Sequence, residues 1–250
     1  MDDAALLRYS RQIMLPQIDV AGQERLLAAR VLVVGLGGLG SPIALYLAAA
    51  GIGHLDIADG DEVDASNLQR QILHGEADVG RPKSVSAADR LRALNAGLTL
   101  TVRDEALQGD VLDAAVRDAD VVVDGTDALD VRYALNASCL RHRRPLVSAA
   151  AIRFEAQLST FDARREDSPC YRCLWPDATE LAAACAENGV VAPLVGLVGS
   201  LQALEVVRLV AETGETLVGR VMVYDGLANR FDEFRLKRRA QCPDCGPQGS

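Results

Sequence analysis

The stretch Val31-Leu-Val-Val-Gly-Leu-Gly-Gly-Leu-Gly-Ser-Pro42 decides the fold. Its first four residues are apolar and predict a short buried strand that runs directly into a glycine-rich turn. Gly35, Gly37 and Gly40 form the pattern G-x-G-x-x-G, in which the absent side chains allow a tight turn and let phosphate approach the backbone. Pro42 suits the first turn of a helix, whose unpaired N–H groups attract an anion. This unit predicts a nucleotide site.

A second strand, Leu55-Asp-Ile-Ala, ends at Asp59, about 20 residues beyond the glycine turn. An acidic side chain at this distance is typical of a group that binds the ribose hydroxyls of a nucleotide. Asp61 is a second candidate for the same role. The alternative is that Asp59-Gly-Asp61 is an ordinary solvent-exposed turn, since Asp and Gly both favour turns.

The composition is that of an ordinary folded protein. The chain has 250 residues, of which 49% are hydrophobic and 24% are charged. This length can bury a full core within a single α/β domain. We expect an N-terminal helical segment over residues 1–30, a nucleotide-binding core over 31–150, and antiparallel strands, a zinc site and a tail over 151–250.

Apolar periodicity predicts the remaining elements. Gly80-Arg-Pro-Lys83 opens a helix whose Val85, Ala88, Leu91 and Leu94 share one face. Further strands are expected at 98–102, 121–123 and 145–147, and antiparallel strands at 154–161, 221–224 and 231–236. The fold class is therefore α/β: a Rossmann-like, mostly parallel sheet flanked by helices, with a C-terminal antiparallel portion and a zinc site made by four cysteines.

Charge and hydropathy exclude several classes of function. The net charge of −9 argues against general nucleic-acid binding, which needs clustered Lys and Arg. The basic run Arg141-His-Arg-Arg144 is better explained as a helix end, where cations meet the carbonyl dipole. Two uncharged stretches, 31–55 and 188–204, are interrupted by proline or glycine, so we expect no membrane role. The N-terminus lacks a signal-peptide pattern, which predicts a cytoplasmic protein.

Three charged side chains are candidates for binding a triphosphate and its metal ion. Arg70 lies in a polar loop after the second strand, and Lys83 begins the following helix. Each alone fits an ordinary surface cation, whereas with the glycine turn they favour a phosphate clamp. Asp127 follows the strand at 121–123, at the edge where open parallel sheets bind ligands. It is a candidate Mg²⁺ ligand, and the alternative is a helix N-cap.

Two cysteine pairs give the strongest single signal. Cys170-Tyr-Arg-Cys173 and Cys242-Pro-Asp-Cys245 each present two thiols at zinc-ligand spacing. Four sulfur ligands would make a closed tetrahedral site, whose role is structural and ties the tail to the body. A redox C-x-x-C pair is the alternative.

Of three other features, the last two are open to two interpretations. Cys139 lies in a predicted helix through Leu135 and Leu140 and fits a small core residue. Cys185 lies in a small-residue segment, where inert packing is the alternative to a reactive thiol. The small-residue helix over 192–210 either packs in the core or forms a subunit interface.

Together these residues resemble the family of ubiquitin-activating-enzyme-like adenylyltransferases that includes the MoeB, ThiF and HesA proteins. The resemblance covers nearly the whole chain, and its specificity lies in the order of the motifs. They are Arg8-Tyr-Ser-Arg-Gln12, Gly35-Leu-Gly-Gly-Leu-Gly40, Asp59-Gly-Asp61, Ser66-Asn-Leu-Gln-Arg-Gln71, Gly80-Arg-Pro-Lys83, Asp124-Gly-Thr-Asp127 and the two cysteine pairs.

The resemblance implies ATP- and Mg²⁺-dependent adenylation of the C-terminal Gly-Gly carboxylate of a small ubiquitin-like sulfur-carrier protein, giving an acyl-adenylate and pyrophosphate. Arg11, whose ordinary role in a polar terminal segment is a surface charge, is implied to reach the active site of the other subunit in a homodimer. The other implied roles are Gly38 at the phosphate loop, Asp59 and Asp61 at the ribose, Asn67, Arg70 and Lys83 at the phosphates, and Asp127 at Mg²⁺.

The chain also departs from the family pattern. Ala128 stands where relatives commonly have Asn, and its side chain cannot hydrogen-bond to a nucleotide. Cys185 matches a position that some relatives use for a covalent or persulfide link to the carrier. No rhodanese-like extension follows Cys245, so a separate protein is expected to supply sulfur.

Two other functions fit parts of the sequence. A nicotinamide-dependent oxidoreductase would use the glycine turn and Asp59 equally well, and Arg70, Lys83 and Asp127 discriminate against it. A zinc-stabilised scaffold that binds a ubiquitin-like partner without ATP turnover is the non-enzymatic alternative.

Overall fold

The computed structural model describes residues 1–177 and 189–246 of the chain. In that part, eight strands form one sheet in the order β3-β2-β1-β4-β5-β6-β7-β8. The strands are β1 (Arg30–Val34), β2 (His54–Ala58), β3 (Thr99–Arg103), β4 (Val121–Asp124), β5 (Pro145–Ile152), β6 (Glu155–Asp162), β7 (Arg220–Asp225) and β8 (Arg230–Arg235).

The sheet changes direction at β5. Strands β1 to β5 pair in parallel, whereas β5 pairs antiparallel with β6, and the antiparallel pattern continues through β7 to β8. The predicted mostly parallel core with a C-terminal antiparallel portion is confirmed. The order β3-β2-β1-β4-β5 places β1 and β4 side by side, so the segments that follow these two strands meet at the same edge of the sheet.

Helices flank the sheet on both faces. They are α1 (Asp3–Arg8), α2 (Ser10–Ile13), α3 (Asp19–Ala28), α4 (Gly40–Ala50), α5 (Lys83–Leu94), α6 (Gly109–Asp118), α7 (Leu129–His142), α8 (Tyr171–Leu174) and α9 (Ala192–Ala211). Two short 3₁₀ turns, Ala65–Asn67 and Glu76–Asp78, lie between β2 and α5. The predicted short helices at the N-terminus are confirmed.

The core has two halves because successive side chains of a strand point to opposite faces. On one face, Val31 and Val33 of β1 pack with residues of α4, α5 and α9. On the other face, Leu32 and Val34 pack against α6 and α7. A strand buried on both faces needs apolar residues at every position, which explains the uninterrupted run Val31-Leu-Val-Val34.

Helix α9 crosses the first half of the core. It has the length and apolar composition of a membrane-spanning helix, but 56% of its most apolar window is buried inside the protein, and it contacts β4, β5 and β6. A side chain on Gly199 would place its Cβ 2.5 Å from the carbonyl oxygen of Leu39, so this face packs directly on the segment that begins α4. We therefore interpret α9 as a core helix.

The predicted apolar face of α5 is partly wrong. Ala88 and Leu91 are buried, but Val85 is 37% and Leu94 is 38% exposed. Ser84 and Ala87 face the core in their place. Small side chains at these positions let α5 approach the sheet closely, whereas the prediction followed the larger apolar residues.

Candidate functional site

The glycine turn follows β1 and leans against the loop that follows β4. Gly35 has a φ of +87°, and a Cβ on it would lie 2.8 Å from the backbone of Gly125. A Cβ on Gly40 would lie 1.9 Å from the carbonyl oxygen of Gly35. Both positions therefore require glycine, one for its backbone conformation and close approach and the other for close approach alone. The turn therefore lies at the carboxyl ends of the parallel strands, in close contact with the loop after β4.

Both polar groups of the Leu36 peptide backbone are held by side chains. The Leu36 N–H donates to Asp59 Oδ2 at 2.7 Å, and the Leu36 carbonyl lies 3.1 Å from His74 Nε2. Asp59 Oδ1 also accepts from the Asp61 N–H at 2.9 Å. Asp59 is therefore more than a solvent-exposed turn residue, because its carboxylate fixes the shape of the glycine turn.

His74 is a site residue that the sequence did not reveal. Its Nδ1 lies 2.9 Å from the hydroxyl of Ser86 in α5. Because the Leu36 carbonyl can only accept, Nε2 carries the hydrogen and Nδ1 accepts from Ser86. Burial lowers the pKa of His74, and nearby Lys83 lowers it further, which favours this neutral form. Its position three residues after the Ser66-Asn-Leu-Gln-Arg-Gln71 motif was the only available signal.

The predicted phosphate-binding residues form two contacting pairs. Lys83 is buried at the start of α5, and its Nζ lies 2.8 Å from Asp61 Oδ2, while Asp61 itself is exposed. Arg70 donates to Asn67 Oδ1 at 2.8 Å in the loop between β2 and α5. Each of these two cationic side chains is thus held in position by a neighbouring acceptor.

The loop after β4 is anchored by a buried ion pair. Asp124 is fully buried, and its carboxylate accepts from Ser148 at 2.6 Å and from the Thr126 N–H at 3.0 Å. Arg132 Nε lies 3.2 Å from Asp124 Oδ2. The same guanidinium donates to the carbonyl of Thr126. This network fixes the backbone immediately before Asp127.

Asp127 itself is exposed at this edge of the sheet. The N-cap of α7 is Ala128, which makes no side-chain capping bond. The alternative role of Asp127 as a helix cap is therefore wrong, and its carboxylate faces the solvent. The Gly125 N–H donates to the Val34 carbonyl at 2.8 Å, which connects the Asp127 loop to the strand that carries the glycine turn.

Arg11 is exposed on α2. The basic run at 141–144 is the end of α7, as predicted: Arg141 and His142 lie in its last turn, and both contact Asp113 of α6.

The four predicted zinc ligands come together. The sulfur atoms of Cys170, Cys173, Cys242 and Cys245 all lie within 4.8 Å of one another, with a closest separation of 3.3 Å between Cys173 and Cys245. A tetrahedral zinc with Zn–S bonds of about 2.3 Å places its sulfurs about 3.8 Å apart. Burial raises the pKa of Cys170, and it raises that of Cys245 to about 12. The separations between the sulfur atoms are close to this tetrahedral spacing, so the cluster is able to hold a metal ion.

Side chains outside the cluster hold its two halves. Asn136 of α7 accepts from the Tyr171 N–H at 2.8 Å and donates to Asp244 Oδ2 at 2.7 Å. Arg172 Nε also lies 3.3 Å from this carboxylate. Thus α7 contacts both cysteine segments.

Of the two remaining cysteines, Cys139 lies within the described residues and Cys185 does not. Cys139 is buried in the second half of the core, and burial raises the pKa of its thiol, so it is the small core residue that was predicted. Cys185 lies between 178 and 188, outside the described residues.

Known proteins share this sequence pattern over nearly the whole chain. The family model described as ThiF family matches residues 9–244. The chain is 46% identical over 246 residues to a molybdopterin-synthase adenylyltransferase of Salmonella typhimurium, covering 98% of each. It is also 46% identical to the sulfur carrier protein ThiS adenylyltransferase of Escherichia coli, covering 98% of this chain and 97% of that protein.

A longer relative has a similar sequence, and a solved structure has the same fold. The adenylyltransferase and sulfurtransferase MOCS3 of Mus musculus is 46% identical, but the chain spans 53% of its length. A crystal structure of E. coli MccB with MccA-N7isoASN has the same fold, with a TM-score of 0.84 at 22% identity over 96% of this chain and 74% of that one. From the family match and the near-full-length relatives, we conclude that this chain belongs to the ThiF family.

Proposed function

We propose that this protein is an adenylyltransferase that uses ATP to activate the C-terminal carboxylate of a small ubiquitin-like sulfur-carrier protein. The observation that carries the proposal is the near-full-length similarity to two adenylyltransferases, one of molybdopterin synthase and one of the sulfur carrier ThiS. The glycine turn, the Lys83–Asp61 pair and the Asp127 loop supply the matching chemistry at the edge of the sheet. The expected products are a carrier acyl-adenylate and pyrophosphate.

The reaction asks for positioning more than for proton transfer. A carrier carboxylate is already ionised near neutral pH and needs no general base. Its oxygen attacks the α-phosphorus of ATP, the bond to the bridging oxygen breaks, and pyrophosphate leaves. The protein then has two tasks, which are to align the two anions and to offset their charge.

The residues of the site are assigned to these tasks as follows. Gly38 and its neighbours offer backbone N–H groups to the phosphates, since the turn leads directly into α4. Asp59 and Asp61 hold the ribose hydroxyls. Asn67, Arg70 and Lys83 contact the phosphates, and Lys83 enters from a buried position where its charge is weakly screened.

Asp127 is assigned to Mg²⁺. Its exposed carboxylate suits a hard cation that also binds phosphate oxygens. When bound, Mg²⁺ neutralises charge that develops on the leaving pyrophosphate. The buried Asp124–Arg132 pair keeps the preceding backbone in place, so that Asp127 is presented by a rigid loop.

Three features complete the proposed enzyme. Two copies form a homodimer in which Arg11 of each subunit enters the site of the other. The four cysteines hold a structural zinc ion, because four sulfur ligands leave no position open for catalysis. Sulfur is delivered to the activated carrier by a separate protein, and we place the reaction in the cytoplasm.

ATP–pyrophosphate exchange tests the proposal. Purified protein is incubated with ATP, Mg²⁺ and labelled pyrophosphate against a panel of purified sulfur carriers, and exchange is expected with at least one carrier. Lys83→Ala and Asp127→Ala should each lower the rate about 100-fold or more. The matched controls, Lys237→Ala and Asp130→Ala, remove exposed residues outside the assigned site and should stay close to wild type.

Two results would contradict the proposal. One is activity with NAD(P) and none with ATP across the carrier panel, which would indicate an oxidoreductase. The other is carrier binding without exchange, which would indicate a scaffold.

A further inference from the structure

A cavity of about 330 Å³ lies at the far end of α7, away from the glycine turn. Helix α7 begins after the carboxyl end of β4 and ends where β5 begins, so its last residues lie at the opposite edge of the parallel sheet. Four arginines line the cavity: Arg143 and Arg144 after α7, Arg165 in the turn after β6, and Arg238 in the segment after β8. Three separate parts of the chain thus bring arginine side chains to one open cavity.

Main-chain carbonyls hold most of these guanidinium groups. Arg143 donates to the Arg164 carbonyl at 2.9 Å. Arg238 donates to the carbonyls of Glu166 and Cys245. A carbonyl fixes a guanidinium in position without cancelling its charge. Within residues 1–177 and 189–246, neither Arg143 nor Arg238 forms an ion pair.

Arg144 is held in the same way. It donates to the Arg117 carbonyl at 2.7 Å, and its nearest carboxylate, Asp120, is 4.0 Å away. Its Nε is buried and has no hydrogen-bond partner in the described part of the chain. The charge of Arg144 is thus only weakly compensated by a carboxylate.

The carboxylates near the cavity compensate only part of this charge. Asp244 already accepts from Asn136 and pairs with Arg172, which lies outside the cavity lining. Asp167 pairs with Arg165 at 3.4 Å. Glu166 is exposed and is the remaining acidic group of the lining. Among the side chains that line the cavity, four arginines thus outnumber the two carboxylates of Glu166 and Asp244, in a protein whose net charge is −9.

We propose that this cavity binds a phosphate group, carried either by inorganic phosphate or pyrophosphate or by a mononucleotide. Guanidinium groups bind phosphate oxygens through paired N–H donors. Arginine side chains that carbonyls already hold in place lose little conformational entropy when they bind a ligand. The volume is that of a small-molecule site rather than of a flat macromolecular surface. An acidic protein segment is the competing occupant, and a polyglutamate peptide serves as its probe.

Binding is expected to reach the metal centre. Arg238 contacts the carbonyl of Cys245, and Cys170 and Cys245 also line the cavity. A ligand that binds Arg238 while this contact is kept would therefore stabilise the tail that carries the second cysteine pair.

Calorimetric titration of the zinc-loaded, full-length protein tests the proposal. The probes are inorganic phosphate, pyrophosphate, AMP and a polyglutamate peptide. Because the proposed catalytic site also binds phosphates, each titration is repeated on Lys83→Ala. The cavity variant is Arg143→Gln/Arg165→Gln, which changes two exposed side chains and leaves Arg238 on Cys245. Arg141→Gln is the matched control, because Arg141 lies in the same helix end but contacts Asp113 instead.

We expect at least one phosphate probe to bind Lys83→Ala and Arg141→Gln as it binds wild type. The cavity variant should bind at least about tenfold more weakly, the effect of losing one charge-assisted contact. Preference for pyrophosphate or phosphate over AMP would identify the inorganic source, and the reverse preference the nucleotide. Zinc content and circular dichroism verify that the variants fold, and the single substitutions replace the double one if it does not.

Three results would overturn the proposal. Binding that is lost in Lys83→Ala and kept in the cavity variant would place the anion at the glycine turn. No binding by any phosphate probe up to about 10 mM would leave the cavity without the proposed ligand. Binding of polyglutamate alone would show that the surface takes an acidic protein segment.

Discussion

The imidazole of His74 joins the glycine turn to helix α5. It donates to the Leu36 carbonyl and accepts from Ser86, while Lys83 at the start of the same helix contacts Asp61. A small movement of α5 would therefore shift the turn and the proposed phosphate lysine together. Deleting the imidazole, as in His74→Ala, leaves a buried carbonyl unpaired and should cost about 1–3 kcal/mol of unfolding free energy.

The same residue predicts how stability depends on pH. Burial lowers the pKa of His74 below its ordinary value of 6.5, so the unfolded chain takes up this proton first as the pH falls. Stability should therefore be fully present above about pH 6.5 and decrease below it. Urea unfolding between about pH 7.5 and 5.5 measures this decrease.

The control for this prediction is His74→Gln, which does not titrate and retains an N–H donor for Leu36. We expect it to flatten the decrease. Its KM for ATP should also stay close to that of the wild type, whereas His74→Ala should raise the KM because the glycine turn loses its contact with α5. The pKa of His54 is also lowered by burial, so a smaller decrease should persist and disappear in a His54→Gln background. An unchanged pH dependence in His74→Gln would show that this imidazole does not control stability.

The adenylation reaction assigns no role to the thiol of Cys185. Formation of an acyl-adenylate needs no thiol nucleophile, so Cys185→Ser is expected to retain ATP–pyrophosphate exchange within about twofold. A later sulfur-transfer assay can then be compared between variant and wild type. Loss of exchange in a well-folded Cys185→Ser protein would refute the separation of the two steps.

At the scale of elements, the sequence predicted what local patterns encode. The apolar run before the glycine turn, the turn residues and the paired cysteines each have a physical signature within a few positions. Contacts between distant segments have no such signature. Arg132 holds the Thr126 carbonyl from within α7, and Gln202 of α9 donates to the Asp124 carbonyl at 2.8 Å. Nothing around either residue distinguishes it from an ordinary helical polar side chain.

The prediction of the buried face of α5 was partly wrong for a related reason. Hydrophobicity favoured Val85 and Leu94, whereas the structure buries Ser84 and Ala87. Small side chains allow a helix to pack closely on a sheet. Which positions need small side chains depends on the neighbouring strands and not on the sequence of the helix.

The cysteine cluster predicts a separable element. Cys242→Ser removes one of four ligands, so zinc content should fall from a single ion per chain to near zero. The segment from residue 236 onward should then become sensitive to limited proteolysis. Cys139→Ala is the matched control, because it removes a buried cysteine outside the cluster and should retain zinc. Full zinc content in Cys242→Ser would exclude this ligand set.

At the scale of the whole molecule, Arg11 lies on a terminal helix and is exposed. We propose that it crosses to the partner subunit, where a guanidinium can offset charge on departing pyrophosphate. Arg11→Ala and Asp127→Ala should each be nearly inactive alone. Mixed and reassembled heterodimers contain one site with intact Asp127 and an intact Arg11 from the partner, so part of the activity should return. Arg8→Ala, on the neighbouring helix, is the control and should remain active.

Subunit exchange must be verified by tagging the two variants differently and isolating the mixed species. If the heterodimer is present and its activity stays at the level of the single variants, Arg11 does not act in trans.

The most direct test of the central claim is the mass of the carrier protein after a single turnover. Wild-type protein, ATP and Mg²⁺ should convert a sulfur carrier to a species heavier by one AMP group, which hydroxylamine removes as expected for an acyl-adenylate. Lys83→Ala should give little of this species, and NAD in place of ATP should give none. The account would be contradicted if every carrier of the panel kept its original mass under conditions in which at least one of them binds the enzyme.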